Sequence, residues 1–310
     1  MDVSVLIPKM IVFVVLMVIG YLCAKTHFAG PEFTKDASKM VINVFMSATI
    51  INSVLVADAR LSGGELLQVM LVLCMSIGVC WVLAAVSCRL MGLGEKAPLF
   101  ELLVAVMNNM FIALPVVETL FGSQAVFYCS LSCIPFNVLL YTFGIYRLQG
   151  GDRQGGDRQG GVRLKDIFSV PLLATLVALA IFLLHPPVPP VVKELASCMS
   201  AATMPLSMIV IGSSLGTVSL LDAFKNGKLY VMSAIRLLLC PLLVWLLAGW
   251  MTDDLMLRTT ATIIAAAPSG VVVSVLAIQY GRDAVFTSEG VLLSTVFSML
   301  TIPLVVFLIL

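Results

Sequence analysis

Apolar residues follow one another along this chain in runs of about 20, the length a helix needs to cross a hydrocarbon core. The runs stop where charges, glycines and prolines cluster, which partitions the sequence into ten spans: 5–24, 37–57, 65–88, 98–121, 124–146, 166–184, 191–217, 228–251, 256–280 and 284–310. The predicted fold is therefore an all-α polytopic membrane protein of ten transmembrane helices. The first run has neither a basic stretch ahead of it nor a small-residue cleavage site, so it reads as a retained span rather than a signal peptide.

Two of the runs are interrupted. Asn108–Pro115 (NNMFIALP) falls inside the fourth and Ala265–Gly270 (AAAPSG) inside the ninth, and each run leads into a Gly-x-x-Ala-Val-Phe turn, at Gly122–Phe127 and Gly281–Phe286. Proline removes a backbone donor and clashes with the turn before it, and backbone groups freed at membrane depth must line something polar. Breaks at matching places in two halves point to the binding site of a transporter.

The basic residues orient the chain. With the N-terminus outside, the inward loops carry Lys25, Lys35, Lys39, Arg89, Lys96, Arg147, Arg153, Arg158, Arg163, Lys165, Lys225, Lys228 and Arg282, against Arg60, Lys193 and Arg258 outside. The positive-inside rule then sets both termini outside the cytoplasm. Five helices per half make the halves inverted copies: residues 1–147 form the first repeat, 148–165 a linker and 166–310 the second repeat. KDASKM (Lys35–Met40) and KELASCM (Lys193–Met199) open the second helix of each half. The linker carries GDRQG twice, at Gly151–Gly155 and Gly156–Gly160, a composition expected to be flexible.

Composition narrows the classes further. Hydrophobic residues make up 60% and charged residues 11%, where a soluble domain holds about 25% charged residues. A net charge of +1 gives no reason to expect a nucleic acid partner. The eight cysteines show no CxxC pair, so neither a disulfide framework nor a metal site is expected.

A non-helical stretch inside the membrane frees N–H groups at the start of the following half-helix, where roughly half a positive charge favours an anion. The expected geometry sets two such N-termini facing each other across a cavity. Candidate binding residues at the breaks are Asn108, Asn109, Pro115, Ala267, Pro268, Ser269 and Gly270, joined by Asn137 from the polar stripe Ser130, Cys133, Asn137, Tyr141. Candidates for substrate or ion coupling are Asn43 and Ser47 in the second span, Ser207 and Ser214 in the seventh, and the ionisable Arg236, Glu118 and Glu289. Two roles stay open for Arg236: snorkelling to the cytoplasmic surface, or neutralising an interior anion. Polar stripes such as Ser200, Thr203, Ser207, Ser214 and Thr287, Ser294, Ser298, Thr301 read first as helix packing. Gly212–Gly216 (GSSLG) matches a serine-nucleophile pattern, but it lies within a predicted span and both histidines, His27 and His185, fall in loops. No enzyme is expected.

NNMFIALPVVETLFG (Asn108–Gly122), IPFNVLLYTFG (Ile134–Gly144), MPLSMIVIGSSL (Met204–Leu215), APSGVVVSVLAIQYG (Ala267–Gly281) and LLSTVFSMLTIP (Leu292–Pro303) together resemble the auxin efflux carrier family, whose bacterial members include malonate and malate carriers. The resemblance implies a fold like that of bile-acid symporters and sodium/proton antiporters, with helices 4 and 9 broken and crossing and an elevator-like movement of a transport domain against a scaffold. By the same resemblance Asn108 matches the family's asparagine before the crossover proline, Pro115 and Pro268 match the crossover prolines, and Asn137 the asparagine of helix 5. The chain departs at Met110 and Ala113, where the family has glycine, at Ser47 in place of proline, and at Val272 in place of asparagine.

The expected function is secondary transport of a small organic anion, a carboxylate, across the plasma membrane; a receptor binding a similar ligand without transport is the alternative. The bilayer is the expected surrounding, and no cofactor is implied. The residues do not decide between H+ and Na+ as a coupling ion, nor whether the chain forms a homodimer.

Overall fold

The computed structural model describes residues 6–56, 62–149, 170–216 and 223–309. Among these, every regular element is helical. Among the described residues six helices are long and apolar enough to cross a membrane: Glu32–Val56, Gly63–Met91, Ser123–Leu148, Pro190–Gly216, Gly227–Met251 and Ala284–Ile309. Shorter apolar helices occupy Ile11–Lys25, Asn109–Phe121, Val170–Leu184 and Leu255–Ala266. The expected linker lies outside the described residues from position 150 onward, as do Arg60, Arg153, Arg158, Arg163 and Lys165.

In chain order the elements are α1 (Leu6–Lys25), α2 (Pro31–Met40), α3 (Ser47–Val56), α4 (Gly63–Met91), α5 (Ala97–Ala105), α6 (Leu114–Phe121), α7 (Ser123–Leu131), α8 (Cys133–Leu139), α9 (Ile145–Gln149), α10 (Val170–Leu184), α11 (Pro190–Gly216), α12 (Gly227–Ala234), α13 (Cys240–Met251), α14 (Leu255–Ala266), α15 (Val272–Gln279) and α16 (Ala284–Ile309). Among the described residues four stretches are wound as π-helix: Val41–Met46, Asn109–Ala113, Leu140–Gly144 and Ile235–Leu239. Such i→i+5 turns are rare and gather at functional sites.

Local signals explain the boundaries. Ser62 accepts from the Glu65 N–H while Glu65 accepts from Ser62 N–H, a capping box that starts α4 two residues before the expected span. The second span begins at Pro31, six residues early, because proline suits the first turn of a helix and the KDASKM stretch continues it as an amphipathic lead-in. Gly122 and Gly281, 159 positions apart in the two Ala-Val-Phe turns, both take positive φ, +70° and +61°. His27 and His185 also take positive φ, 59° and 47°, each just after a helix and shortly before the next helix starts at Pro31 or Pro190.

The helices pack in two sets. Helices α1, α2–α3, α10 and α11 form one, in which α1 lies along α11 and α3 touches both α10 and α11. The other holds α4 to α9 and α12 to α16. Glycine permits the α1–α11 approach: a Cβ on Gly212 would lie 1.9 Å from the Met17 carbonyl oxygen, and one on Gly20 2.0 Å from that of Ile209. Gly216, four residues on, would press on Ala24. GSSLG is thus a small-xxx-small packing face in a helix, with Ser213 hydrogen-bonded to Thr34 at 2.6 Å.

Candidate functional site

Both interrupted spans are broken, and the breaks touch. After α5 ends at Ala105 the chain runs extended through Val106, and after α14 ends at Ala266 it runs extended from Ala267. Asn108 N–H donates to Pro268 O at 2.8 Å and Gly270 N–H to Val106 O at 2.9 Å, making an antiparallel β-bridge between Met107 and Ser269. Buried backbone that leaves its helix has to find partners elsewhere, and here each break supplies the other's. Gly270 allows the approach, since a Cβ there would meet the Met107 carbonyl oxygen at 3.1 Å.

The first break is displaced from the expected position. It spans Val106–Asn108, and Pro115 sits seven residues past Asn108 in the first turn of α6. Its missing N–H there falls where the helix is still emerging from the π segment Asn109–Ala113. Asn108 caps that segment, its Oδ1 accepting from Phe111 N–H at 3.3 Å. Pro268, by contrast, lies in the second break itself.

Because the two strands are antiparallel, each following half-helix starts beside the end of the other's preceding half-helix. This differs from the expected pair of N-termini across a cavity. The breaks close directly on one another, and Val106, Met107, Asn108, Ala267 and Ser269 are all at most 6% exposed.

Arg236 holds the carbonyl ends. It is fully buried, so it does not snorkel. Its Nε donates to Ala267 O at 2.8 Å, Nη1 to Val104 O at 3.1 Å and Nη2 to Ile264 O at 3.4 Å. One guanidinium therefore caps the C-termini of α5 and α14, where the helix dipoles are negative. The thiols of Cys80 and Cys240 also contact it and each other. The π segment Ile235–Leu239 turns Arg236 toward the breaks.

Around this centre Ser269 Oγ donates to Leu103 O at 2.6 Å, and Ser269 N–H donates to Ser294 Oγ at 3.1 Å. Asn109 Nδ2 donates to Ser132 Oγ at 3.3 Å, and Asn137 Nδ2 donates to Cys133 O at 2.9 Å. The structure thus brings together Asn108, Ala267, Pro268, Ser269, Gly270 and Arg236, with Asn109 turned to Ser132 just before α8 and Asn137 within α8. Other candidates stand apart. Asn43 is exposed; Ser214 and Glu289 are half-buried. Ser207 is turned back on the Thr203 carbonyl of its own helix, and Glu118 meets Ser200 of α11. Ser47 Oγ is buried with no hydrogen-bond partner among the described residues.

A cavity of about 30 Å³, room for roughly one water, lies beyond the first break between α1, α6, α11 and α16, with Met17, Ile112, Val116, Met208 and Ser298 in its walls.

Two residues outside the expected set proved structurally important. Glu101, 1% exposed in α5, pairs with Arg147 at 2.5 Å. Asp283 caps α16 by accepting from Phe286 N–H at 3.0 Å and pairs with Lys96 at 3.1 Å. The Phe286 hydrogen bond, helped by Lys96, holds the Asp283 carboxyl below its ordinary range.

Residues 159–306 match the model of a family described as membrane transport protein. An uncharacterized transporter of Methanothermobacter thermautotrophicus is 28% identical over 296 residues, 94% of each chain. Another, of Methanocaldococcus jannaschii, is 24% identical over 317 residues, covering 96% of this chain and 98% of the relative. Among its described residues the chain is all helical, with six helices long and apolar enough to cross a membrane, and it is similar through its second half to membrane transport proteins and along nearly its whole length to these two uncharacterized transporters.

Proposed function

We propose that this protein is a secondary transporter that carries a small organic carboxylate across the plasma membrane, with the paired breaks as its substrate site. The observation that carries the reading is the Met107–Ser269 bridge with Arg236 beneath it. Interrupted backbone at membrane depth is tolerated only where it is buried in protein or lines a cavity, and a site shared by two discontinuous spans suits alternating access.

In this reading residues 1–147 and 166–310 are inverted five-helix repeats joined by a cytoplasmic linker, and both termini are outside. The 159-residue spacing of the positive-φ glycines and of the helix starts at Pro31 and Pro190 supports the duplication. The set α1, α2–α3, α10 and α11 serves as scaffold and the remaining helices as the unit that moves, elevator-like, past it. The bridged arrangement is the occluded form. Opening the bridge frees the Asn108 and Gly270 N–H groups, which join the side chains of Asn108, Asn109, Asn137 and Ser269 to take a carboxylate. Ser47, whose hydroxyl has no partner among the described residues, and Glu118, which meets Ser200 of α11, suit a coupling role.

A thermal-shift series with C2–C6 mono- and dicarboxylates in detergent tests this, because a ligand bound only by the folded state raises the melting temperature with concentration. At least one carboxylate should stabilise the wild type, and Asn108→Leu should remove the shift while remaining folded. A series with no shift, or an unchanged shift in the variant, would count against the site.

A further inference from the structure

Resting on the carrier reading above, we infer that Arg236 gives the empty carrier one positive charge, which a bound monoanion cancels, so that the loaded unit crosses the membrane without net charge.

Among the described residues only Glu101 and Arg236 are charged side chains buried beyond nine-tenths. Glu101 is neutralised by Arg147. Arg236 has no carboxylate within ion-pairing distance among the described residues; its N–H groups go to the carbonyls of Val104, Ile264 and Ala267. Those carbonyls satisfy its hydrogen bonds, yet they bring no net charge, because the negative end of each half-helix is matched by its own positive end. With the thiols of Cys80 and Cys240 beside Arg236 protonated, the described residues buried around the breaks therefore sum to +1.

The anion site and the guanidinium are linked through two adjacent carbonyls. Ala267, whose carbonyl takes Arg236 Nε, precedes Pro268, whose carbonyl takes Asn108 N–H. An anion at the start of the Asn109–Phe121 segment would feel both that helix end and the Arg236 charge across low-dielectric protein. A single negative charge brings the site to zero. A dianion would leave −1 buried and an uncharged solute +1, and both are penalised. The substrate class is thus a monocarboxylate, or a dicarboxylate bound in its singly protonated form.

The charge balance has a kinetic signature. If the loaded carrier is neutral, its crossing ignores the membrane potential, while the return of the empty, positive carrier responds to it. One elementary charge moved through 100 mV changes an equilibrium about fifty-fold.

The experiment uses purified protein in liposomes at pH 7.5, with labelled acetate, lactate, pyruvate and malonate as probes, protein-free vesicles as the blank, and potentials of about 100 mV of either sign set by potassium and valinomycin. For the best monocarboxylate, homo-exchange with the same anion on both sides should change less than about two-fold with potential, and uptake into empty vesicles should change far more. Arg236→Gln should invert the pattern, since its loaded form carries −1 and its empty form none; Arg236→Lys should keep the wild-type pattern. Should Arg236→Gln fail to fold, the wild-type comparison decides alone. Exchange as voltage-sensitive as net uptake, or malonate exchanging as a dianion better than every monocarboxylate, would overturn the charge assignment. Absence of any carboxylate movement would instead remove the carrier reading and the inference with it.

Discussion

Met107 and Ser269 pair as an antiparallel β-bridge in the interior of a helical protein. The bridge lets two broken spans satisfy their backbone mutually, and it places the carbonyl ends of α5 and α14 close enough for one arginine to reach both. Local breakage, global packing and electrostatics at the centre of the protein are therefore one structure.

Arg236→Met should be among the most destabilising substitutions. It leaves the carbonyls of Val104, Ile264 and Ala267 without their donors in a dry interior, at a cost on the order of 3 kcal/mol. Arg236→Lys keeps the charge but replaces a planar fork with a point charge on a flexible stem, and should fall between. Melting curves in detergent, read alongside wild type, check the order.

The ion pair of Glu101 and Arg147 predicts an asymmetry. Glu101 is 1% exposed whereas the Arg147 side chain is 35% exposed. Arg147→Met strands a buried carboxylate and should cost about 3 kcal/mol. Glu101→Gln leaves an arginine that can turn to water, and should cost distinctly less. Equal losses in denaturation midpoint would contradict the assigned burial.

Gly212→Leu should prevent α1 from seating on α11, because its first side-chain atom already overlaps the Met17 carbonyl. Gly78→Ala is the control: a Cβ there meets nothing within 4 Å, so it should be neutral or stabilise by up to about 1 kcal/mol through helix propensity. Folded yield on size-exclusion chromatography distinguishes them.

Asp283 makes part of the stability depend on pH. Its carboxyl titrates lower in the folded chain than unfolded, so the folded state binds fewer protons. The contribution is complete above the ordinary aspartate value, about 3.9, and disappears as pH falls through the folded value. The carboxylate is well exposed, so water weakens the effect. A melting-temperature series from about pH 6 down to about pH 3 should fall less steeply for Asp283→Asn than for wild type.

Much of this was legible in the chain. The apolar runs marked the helices, and the second break was found nearly to the residue because AAAPSG places the proline inside it. The first was read too far along, since Pro115 lies downstream of the extended residues and nothing in Val106–Met107 signals a break. Arg236 stood out as a charge at depth, yet its partners are backbone carbonyls, which leave no trace in a side-chain pattern. Glu101 was overlooked because it sits four residues into α5, where a carboxylate passes for interfacial. The π segments carry no sequence signature, although Asn43, Asn109 and Arg236 all lie in one. GSSLG was visible as a motif, and only packing against α1 showed that its glycines, not its serines, matter there.

The central claim is that the paired breaks bind the anion that is carried. Uptake of a labelled carboxylate into liposomes by wild type and by Asn108→Leu, matched for melting temperature, tests it most directly. A hydrogen bond to a charged group is worth about 1.5–3 kcal/mol, so the variant should lose at least about ten-fold in uptake. Uptake equal to wild type by a folded Asn108→Leu protein would contradict the account.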